Sequence, residues 1–355
     1  MKWLGFGGIA GAGGTAAVSK ANAGNRYYNG PASDHFDGKV FFNPEGEVPR
    51  GFADLLRWQL GETRTRWPSA WPSPFPSARP EPRVEGNRLV VTMVGHASML
   101  VQTAGLNILT DPVWSERASP VGFAGPRRVN APGIAFENLP QIDLVLLSHN
   151  HYDHLDITTL RRLQAAHNPH VLTPFGNDAI VKEEVPAMRI SAHDWDDTAV
   201  FRSLPVHFEP THHWSARGMG DRRMALWSSF VIDAPGGAIY VIGDTGFHGG
   251  VNYCAAAEKH GGFRLALLPI GAYEPRWFME AQHQNPQEAV QGMILSRSAF
   301  AAGHHWGTFQ LTNEPIDEPR DHLHAALDRE GVARERFRAM QPGETWEVPQ
   351  AAPAS

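Results

Sequence analysis

Short apolar runs separated by polar turns divide most of the chain, and long helical stretches are few. Ile142-Asp143-Leu144-Val145-Leu146-Leu147 is apolar enough to be a strand buried on both faces. Beyond a polar turn, Asp156 is an N-cap residue type, and Ile157-Thr158-Thr159-Leu160-Arg161-Arg162-Leu163 has helical spacing. Three further β-like runs, Phe201 to Phe208, Ala238 to Ile242 and Ser298 to Ala302, each end in a turn rich in glycine or polar residues. Gly51 to Arg64 reads as an amphipathic helix with Phe52, Leu55, Leu56 and Leu60 on one face. The stretch Trp67-Pro68-Ser69-Ala70-Trp71-Pro72-Ser73-Pro74-Phe75-Pro76 must run extended, since proline fixes φ and lacks a donor. Its aromatics either meet lipid near a site mouth or pack as a strap against the body. Leu323 to Phe337 has the pattern of a terminal helix, and Gln350 to Ser355 that of a frayed tail.

At 355 residues the length permits two domains, but no linker separates two halves. The expected organisation is a leader over residues 1–40, one folded domain over 41–345 and a tail over 346–355. In the leader, Lys2 precedes a mildly apolar stretch from Trp3 to Val18, and Ala21-Asn22-Ala23 fits a small-x-small cleavage site. Six glycines between Gly5 and Gly14 weaken that stretch. An export signal or weak anchor and a disordered leader both stay open, and so does a place in the cytoplasm or the cell envelope. The net charge is −6 and the arginine pairs are scattered, which leaves no basic stripe for nucleic acid. A single cysteine excludes an intramolecular disulfide.

Candidate chemistry changes the picture more than composition does. In Ser148-His149-Asn150-His151-Tyr152-Asp153-His154, His149, His151, Asp153 and His154 stand within six positions, on the turn after a predicted strand. Neutral imidazole and carboxylate suit zinc and other first-row metals, and donors this crowded call for a cation between them. Further donors follow the other strands, in Thr211-His212-His213-Trp214, Gly243-Asp244-Thr245-Gly246 and Gly303-His304-His305-Trp306-Gly307. Any one of these alone is weak, while the constellation is specific. Spacing alone does not choose between His212 and His213, or between His304 and His305. No Gly-x-Ser-x-Gly elbow is present, and Cys254 reads as a small buried apolar residue rather than a nucleophile.

These motifs resemble the metallo-β-lactamase fold hydrolases. Within them, the chain resembles the N-acyl-phosphatidylethanolamine-hydrolysing phospholipase D family. The resemblance is carried by Val91-Thr92-Met93-Val94-Gly95-His96-Ala97-Ser98, Leu109-Thr110-Asp111-Pro112, Ser115-Glu116-Arg117-Ala118-Ser119-Pro120 and Gly125-Pro126-Arg127-Arg128. It is carried further by Pro269-Ile270-Gly271-Ala272-Tyr273-Glu274-Pro275-Arg276-Trp277-Phe278-Met279 and His305-Trp306-Gly307-Thr308-Phe309. It runs from about Phe41 to about Glu344 and implies an α/β fold, a four-layer αββα sandwich.

The resemblance also implies two metal ions, zinc or another first-row metal. His149, His151 and His213 would hold one, Asp153, His154 and His305 the other, and Asp244 would bridge them. His212 and His304 then lie outside the donor set. Asp111 would orient a ligand imidazole through its other ring nitrogen. Asp153 and Asp244 would aim a metal-bound hydroxide. His283 either faces the pocket or merely begins a helix. Arg276 is the first candidate for a substrate phosphate, ahead of Arg127 and Arg128, with a salt-bridged Arg276 that holds its loop as the alternative.

The expected activity is that of a dinuclear phosphodiesterase of phospholipase D type, acting on a lipid or another small molecule, with peripheral membrane contact left open. A lactonase or amide hydrolase using the same metals is the alternative, since one fold serves many reactions. A non-catalytic metal-folded module fits poorly, because all seven donor positions are filled.

Overall fold

Two seven-stranded sheets face each other in the computed structural model, which describes residues 24–61 and 64–350. The expectations for residues 1–23 and for 351–355 lie outside the described residues. The first sheet contains β1 (Leu89–Gly95), β2 (Ser98–Thr103), β3 (Leu106–Thr110), β4 (Leu144–Leu146), β5 (His170–Pro174) and β6 (Arg189–His193) in spatial sequence. The second contains β7 (Thr198–Phe201), β8 (Leu204–Glu209), β9 (Ser229–Ile232), β10 (Ile239–Val241), β11 (Phe263–Pro269), β12 (Ser298–His304) and β13 (Phe337–Ala339). The last strand, β14 (Thr345–Glu347), returns to the first sheet and pairs with β1. Each sheet joins an antiparallel meander to a parallel half, which starts at the β3–β4 pair in one and at β10–β11 in the other. The two halves of the chain therefore repeat a topology that shows no sequence repeat.

Apolar pattern decides the layers. In β4, Leu144 and Leu146 enter the core between the sheets, while Val145 enters the outer core. That is why the run there is continuous rather than alternating. Between the sheets, Val91, Met93, Val101 and Ile108 meet Val206, Phe208, Phe230 and Leu265. Each such side chain contributes about 1.5–3 kcal/mol by leaving water. Helices α2 (Ile157–Ala166) and α3 (Asn177–Glu184) cover the first sheet. Helices α4 (Val251–His260), α6 (Pro286–Leu295) and α7 (Glu318–Glu330) cover the second, with short α5 (Arg276–Met279) after β11. The result is the expected αββα sandwich.

Local expectations were met unevenly. Asp156 caps α2 by accepting from Thr158 N and Thr159 N. The run Phe201 to Phe208 is not one strand but a hairpin, because Arg202 (φ 46°) and Ser203 (φ 66°) turn the chain between β7 and β8. Two adjacent positive-φ residues match the twist of a tight hairpin. The helix near the amino end, α1 (Phe52–Gly61), buries Trp58 and leaves Leu56 and Leu60 of the expected apolar face exposed. Trp58 is held by Asn313 and lies against Phe278. The terminal helix starts earlier than expected and stops at Gly331, whose φ of 65° only glycine adopts without cost. Phe337 instead opens β13.

Packed structure also exceeds the expected domain at both ends. Phe36 is buried, and Trp346 lies in β14. The proline-rich stretch packs against the body: Trp67 Nε1 donates to Glu314 O, and Trp71 lies against Trp306. Among the described residues, no helix is long and apolar enough to cross a membrane.

Candidate metal centre

The turn after β4 is built tightly. Ser148 N and Oγ donate to the Asp111 carboxylate at 2.7 and 2.6 Å. His154 N and Leu155 N both reach back to His151 O, closing the turn ahead of α2. Arg217 clamps it from outside by donating to Asn150 O and Leu155 O. Gly243 lets the Asp244 turn approach, because a Cβ there would lie 2.3 Å from Ser148 Oγ.

This packing gathers the sequence candidates into two groups that meet at Asp244. In one, His149, His151, His213 and Asp244 each offer a donor atom within 4.8 Å of the others. His149 Nε2 and His213 Nε2 stand 2.9 and 3.2 Å from His151 Nδ1. In the other, Asp153, His154 and His305 are joined by His96. Asp153 Oδ2 lies 2.9 Å from His96 Nε2, 3.2 Å from His305 Nε2 and 3.5 Å from His154 Nε2. Asp244 reaches both groups: Oδ2 is 3.6 Å from His213 Nε2 and 3.2 Å from His154 Nε2, and Oδ1 is 3.2 Å from His305 Nε2.

Outer partners fix the rings. Asp111 holds His154 Nδ1 at 2.7 Å, Ser148 Oγ holds His149 Nδ1 at 2.9 Å, and Gln282 O holds His213 Nδ1 at 3.1 Å. Ligand histidines need such partners to fix tautomer and orientation. Meanwhile His151 Nε2, His154 Nε2, His283 Nδ1 and Asp244 Oδ1 are buried without a hydrogen bond. Buried ring nitrogens and a carboxylate oxygen without partners are costly in a protein alone, and a cation among the clustered side chains would lower that cost. The residues present therefore fit a metal centre.

Electrostatics agree with the geometry. Burial pushes His149 and His213 well below the ordinary histidine value, and His151 and His283 down to about 4. Neutral imidazole is the form that binds metal. Burial also disfavours a charge on His154 and His305, yet Asp244 above all holds His154 well above its usual value and His305 up to about 9. Burial likewise opposes ionised Asp153 and Asp244. The surrounding histidines, led by His154 for Asp153 and His305 for Asp244, keep both far below the usual carboxyl range.

Neither His212 nor His304 joins the groups. His212 stacks on His248 and contacts Asn252, while His304 Nε2 donates to Ile242 O. His283 lies beside Asp244 and His305, with Nδ1 4.0 Å from Asp244 Oδ2.

Arg276 is engaged elsewhere: its guanidinium donates twice to Glu288, at 2.8 and 3.0 Å, and once to His283 O. Through these contacts it ties the His283 loop to the start of α6. Arg127 pairs with Glu116 at the surface, and buried Arg128 donates to Asn130 O. Cys254 is half-buried on α4. The residue the sequence reading left without a role is His96. It stood in a quoted motif, but nothing in its spacing links it to Asp153.

Comparisons with known proteins agree. A family model for the beta-lactamase superfamily domain matches residues 106–306. N-acyl-phosphatidylethanolamine-hydrolyzing phospholipase D 1 of Caenorhabditis elegans is 38% identical over 272 residues, covering 73% of this chain and 76% of that protein. An uncharacterized protein of Mycobacterium tuberculosis is 39% identical over 254 residues, covering 70% of this chain and 67% of that one. Among solved structures, an isothiocyanate hydrolase from Delia radicum gut bacteria superposes with a TM-score of 0.59 at 19% identity, covering 73% of this chain and 99% of that chain, which speaks for the fold alone. This chain belongs to the beta-lactamase superfamily of metal-dependent hydrolases, in the family that includes the N-acyl-phosphatidylethanolamine-hydrolysing phospholipases D.

Proposed function

We propose that this hydrolase is a dinuclear zinc phosphodiesterase of phospholipase D type, acting on N-acyl-phosphatidylethanolamine-like lipids. The observation that carries the reading is the pair of donor groups sharing Asp244, in a chain 38% identical to a phospholipase of that name. In this reading His149, His151 and His213 would hold one cation and Asp153, His154 and His305 the other, with Asp244 within reach of both groups. Such a metal pair lowers the pKa of bound water and neutralises charge that builds on a phosphoryl oxygen.

The chain's own residues do the remaining work. Asp153 and Asp244, kept ionised by the histidines around them, accept a hydrogen bond from the attacking water and aim it. His96, whose Nε2 stands 2.9 Å from Asp153 Oδ2, positions that carboxylate. His283, neutral and unpartnered at Nδ1, offers a hydrogen bond to a phosphoryl oxygen. Arg276 secures that histidine's loop rather than binding the phosphate itself. Exposed Val121 and Phe123 and the outward Leu56 and Leu60 of α1 support a peripheral contact with the lipid surface.

Initial rates on a long-chain N-acyl-phosphatidylethanolamine, a soluble aryl phosphodiester and an acyl lactone, each with and without chelator, test the proposal. Chelator-sensitive hydrolysis favouring the lipid is expected. Turnover of the lactone with both diesters inert would overturn the substrate class while keeping the metal chemistry.

A further inference from the structure

Away from the centre, a second set of imidazoles and carboxylates converges at one edge of the second sheet. His207 lies in β8 between Val206 and Phe208, whose side chains fill the core between the sheets. Strand alternation therefore turns His207 to the outer face. Asp233 directly follows β9, and His260 ends α4, which packs on that outer face. One donor atom from each lies within 4.8 Å of the other two. His207 Nε2 stands 2.9 Å from Asp233 Oδ2, and the two histidine rings are 4.9 Å apart.

Each imidazole also has an outer partner of the kind that ligand histidines use. Thr198 Oγ1 contacts His207 Nδ1 at 2.8 Å, and Glu209 Oε1 contacts His260 Nε2 at 2.8 Å. Glu209 is buried and steadied by Lys259 Nζ at 2.9 Å. With neutral imidazoles, Asp233 and Glu209 outweigh the one ammonium, so the cluster favours a cation. The Asp233 side chain is 45% exposed, which leaves an entry path and room for water to complete the coordination.

We propose that His207, Asp233 and His260 form a separate site for one first-row divalent cation of the imidazole-preferring class, such as zinc or nickel. The bound ion clips the carboxyl end of α4 to the β8–β9 edge. It shares no donor with the catalytic centre and acts on stability rather than on turnover.

The test compares full-length wild-type protein with Asp233→Asn and His207→Gln variants. Each is loaded with zinc, dialysed against a zinc buffer and analysed for metal per chain. Wild type should retain one equivalent more than either variant, and added zinc should raise its Tm further. Turnover of the variants should match wild type. Equal zinc content in all three chains overturns the proposal, as does an anomalous zinc peak that avoids His207 and His260 in a soaked crystal. Asp233→Asn preserves the shape of a half-exposed side chain, so the test survives if His207→Gln folds poorly. The readout is a difference between chains with the same centre, so it stands whatever that centre holds or hydrolyses.

Discussion

The turn after β4 and the turn after β11 occupy matching places, each following the first parallel strand beyond an antiparallel meander. The first supplies His149, His151, Asp153 and His154 to the two donor groups, whereas the second supplies none to either. Its part differs: Gln282 O orients His213, Arg276 and Glu288 hold the loop that sets His283 beside Asp244 and His305, and Gly271 leaves space for the backbone of His305. Equivalent positions have thus divided the labour, one turn giving the donors of both groups and the other giving shape and the neighbouring His283. The short turns after β3 and β10 repeat the lesson on a smaller scale. Asp111 grips His154 from Nδ1, and Asp244 faces it from Nε2.

Breaking the shared carboxylate should have the largest effect. Asp244→Asn is expected to lower kcat by at least about 10²–10³-fold in a folded protein, and to lower its metal content. Near-wild-type activity with full metal content would refute the bridging role. Its counterpart, Asp111→Asn, should weaken metal affinity or activity by about 10–100-fold, since it removes an orienting partner and not a donor. If both variants lost metal equally, the distinction between the two turns would fail.

The protonation of the centre gives a third test. Asp244 and its neighbours raise His154 and His305 in the metal-free protein, so both carry protons at neutral pH. Metal uptake must then release protons, and apparent affinity should climb with pH, by about tenfold per unit for each proton displaced, with the His305 contribution flattening above about 9. Calorimetry in buffers of different ionisation enthalpy measures that release. A pH-independent affinity between 6 and 9 would show that these histidines are already neutral.

The second turn calls for subtler changes. A Cβ on Gly271 would stand 2.3 Å from His305 O, so Gly271→Ala should cost about 1–3 kcal/mol and loosen metal retention without touching a donor. Thermal unfolding with and without chelator would read both effects. Of comparable size, Arg276→Ala and Glu288→Gln should each reduce stability by about 1.5–3 kcal/mol and lower kcat alike. A sharp rise in KM for Arg276→Ala alone would restore that arginine to the substrate phosphate.

Legibility in the sequence followed the range of the contacts. The donors of the β4 turn stand within six residues, and strand and helix signals flank them, so their grouping could be read from order alone. The capped α2 and the strand ends bearing Asp244 and the paired histidines were legible for the same local reason, whereas the αββα class came from the family resemblance of the longer motifs. The hairpin at Arg202 and Ser203 was not, because neither is a residue type that readily takes positive φ, and theirs accompanies the pairing of the flanking strands. The buried face of α1 was missed because Trp58 is fixed by Asn313, far along the chain.

By itself, then, the sequence determined that a metal turn follows a buried strand, since periodicity and close spacing are local properties, while the α/β sandwich was what the family resemblance implied. Tertiary structure decided the rest. Within the pair of adjacent histidines, His305 faces Asp153 because it sits past the end of β12 at φ 65°, while His304, still in the strand, points to Ile242. His96 enters beside Asp153 from 57 residues away, and Arg276 turns to Glu288 and not to the centre. Which side chain meets which across such distances depends on strand register and packing, and no short stretch of sequence contains either.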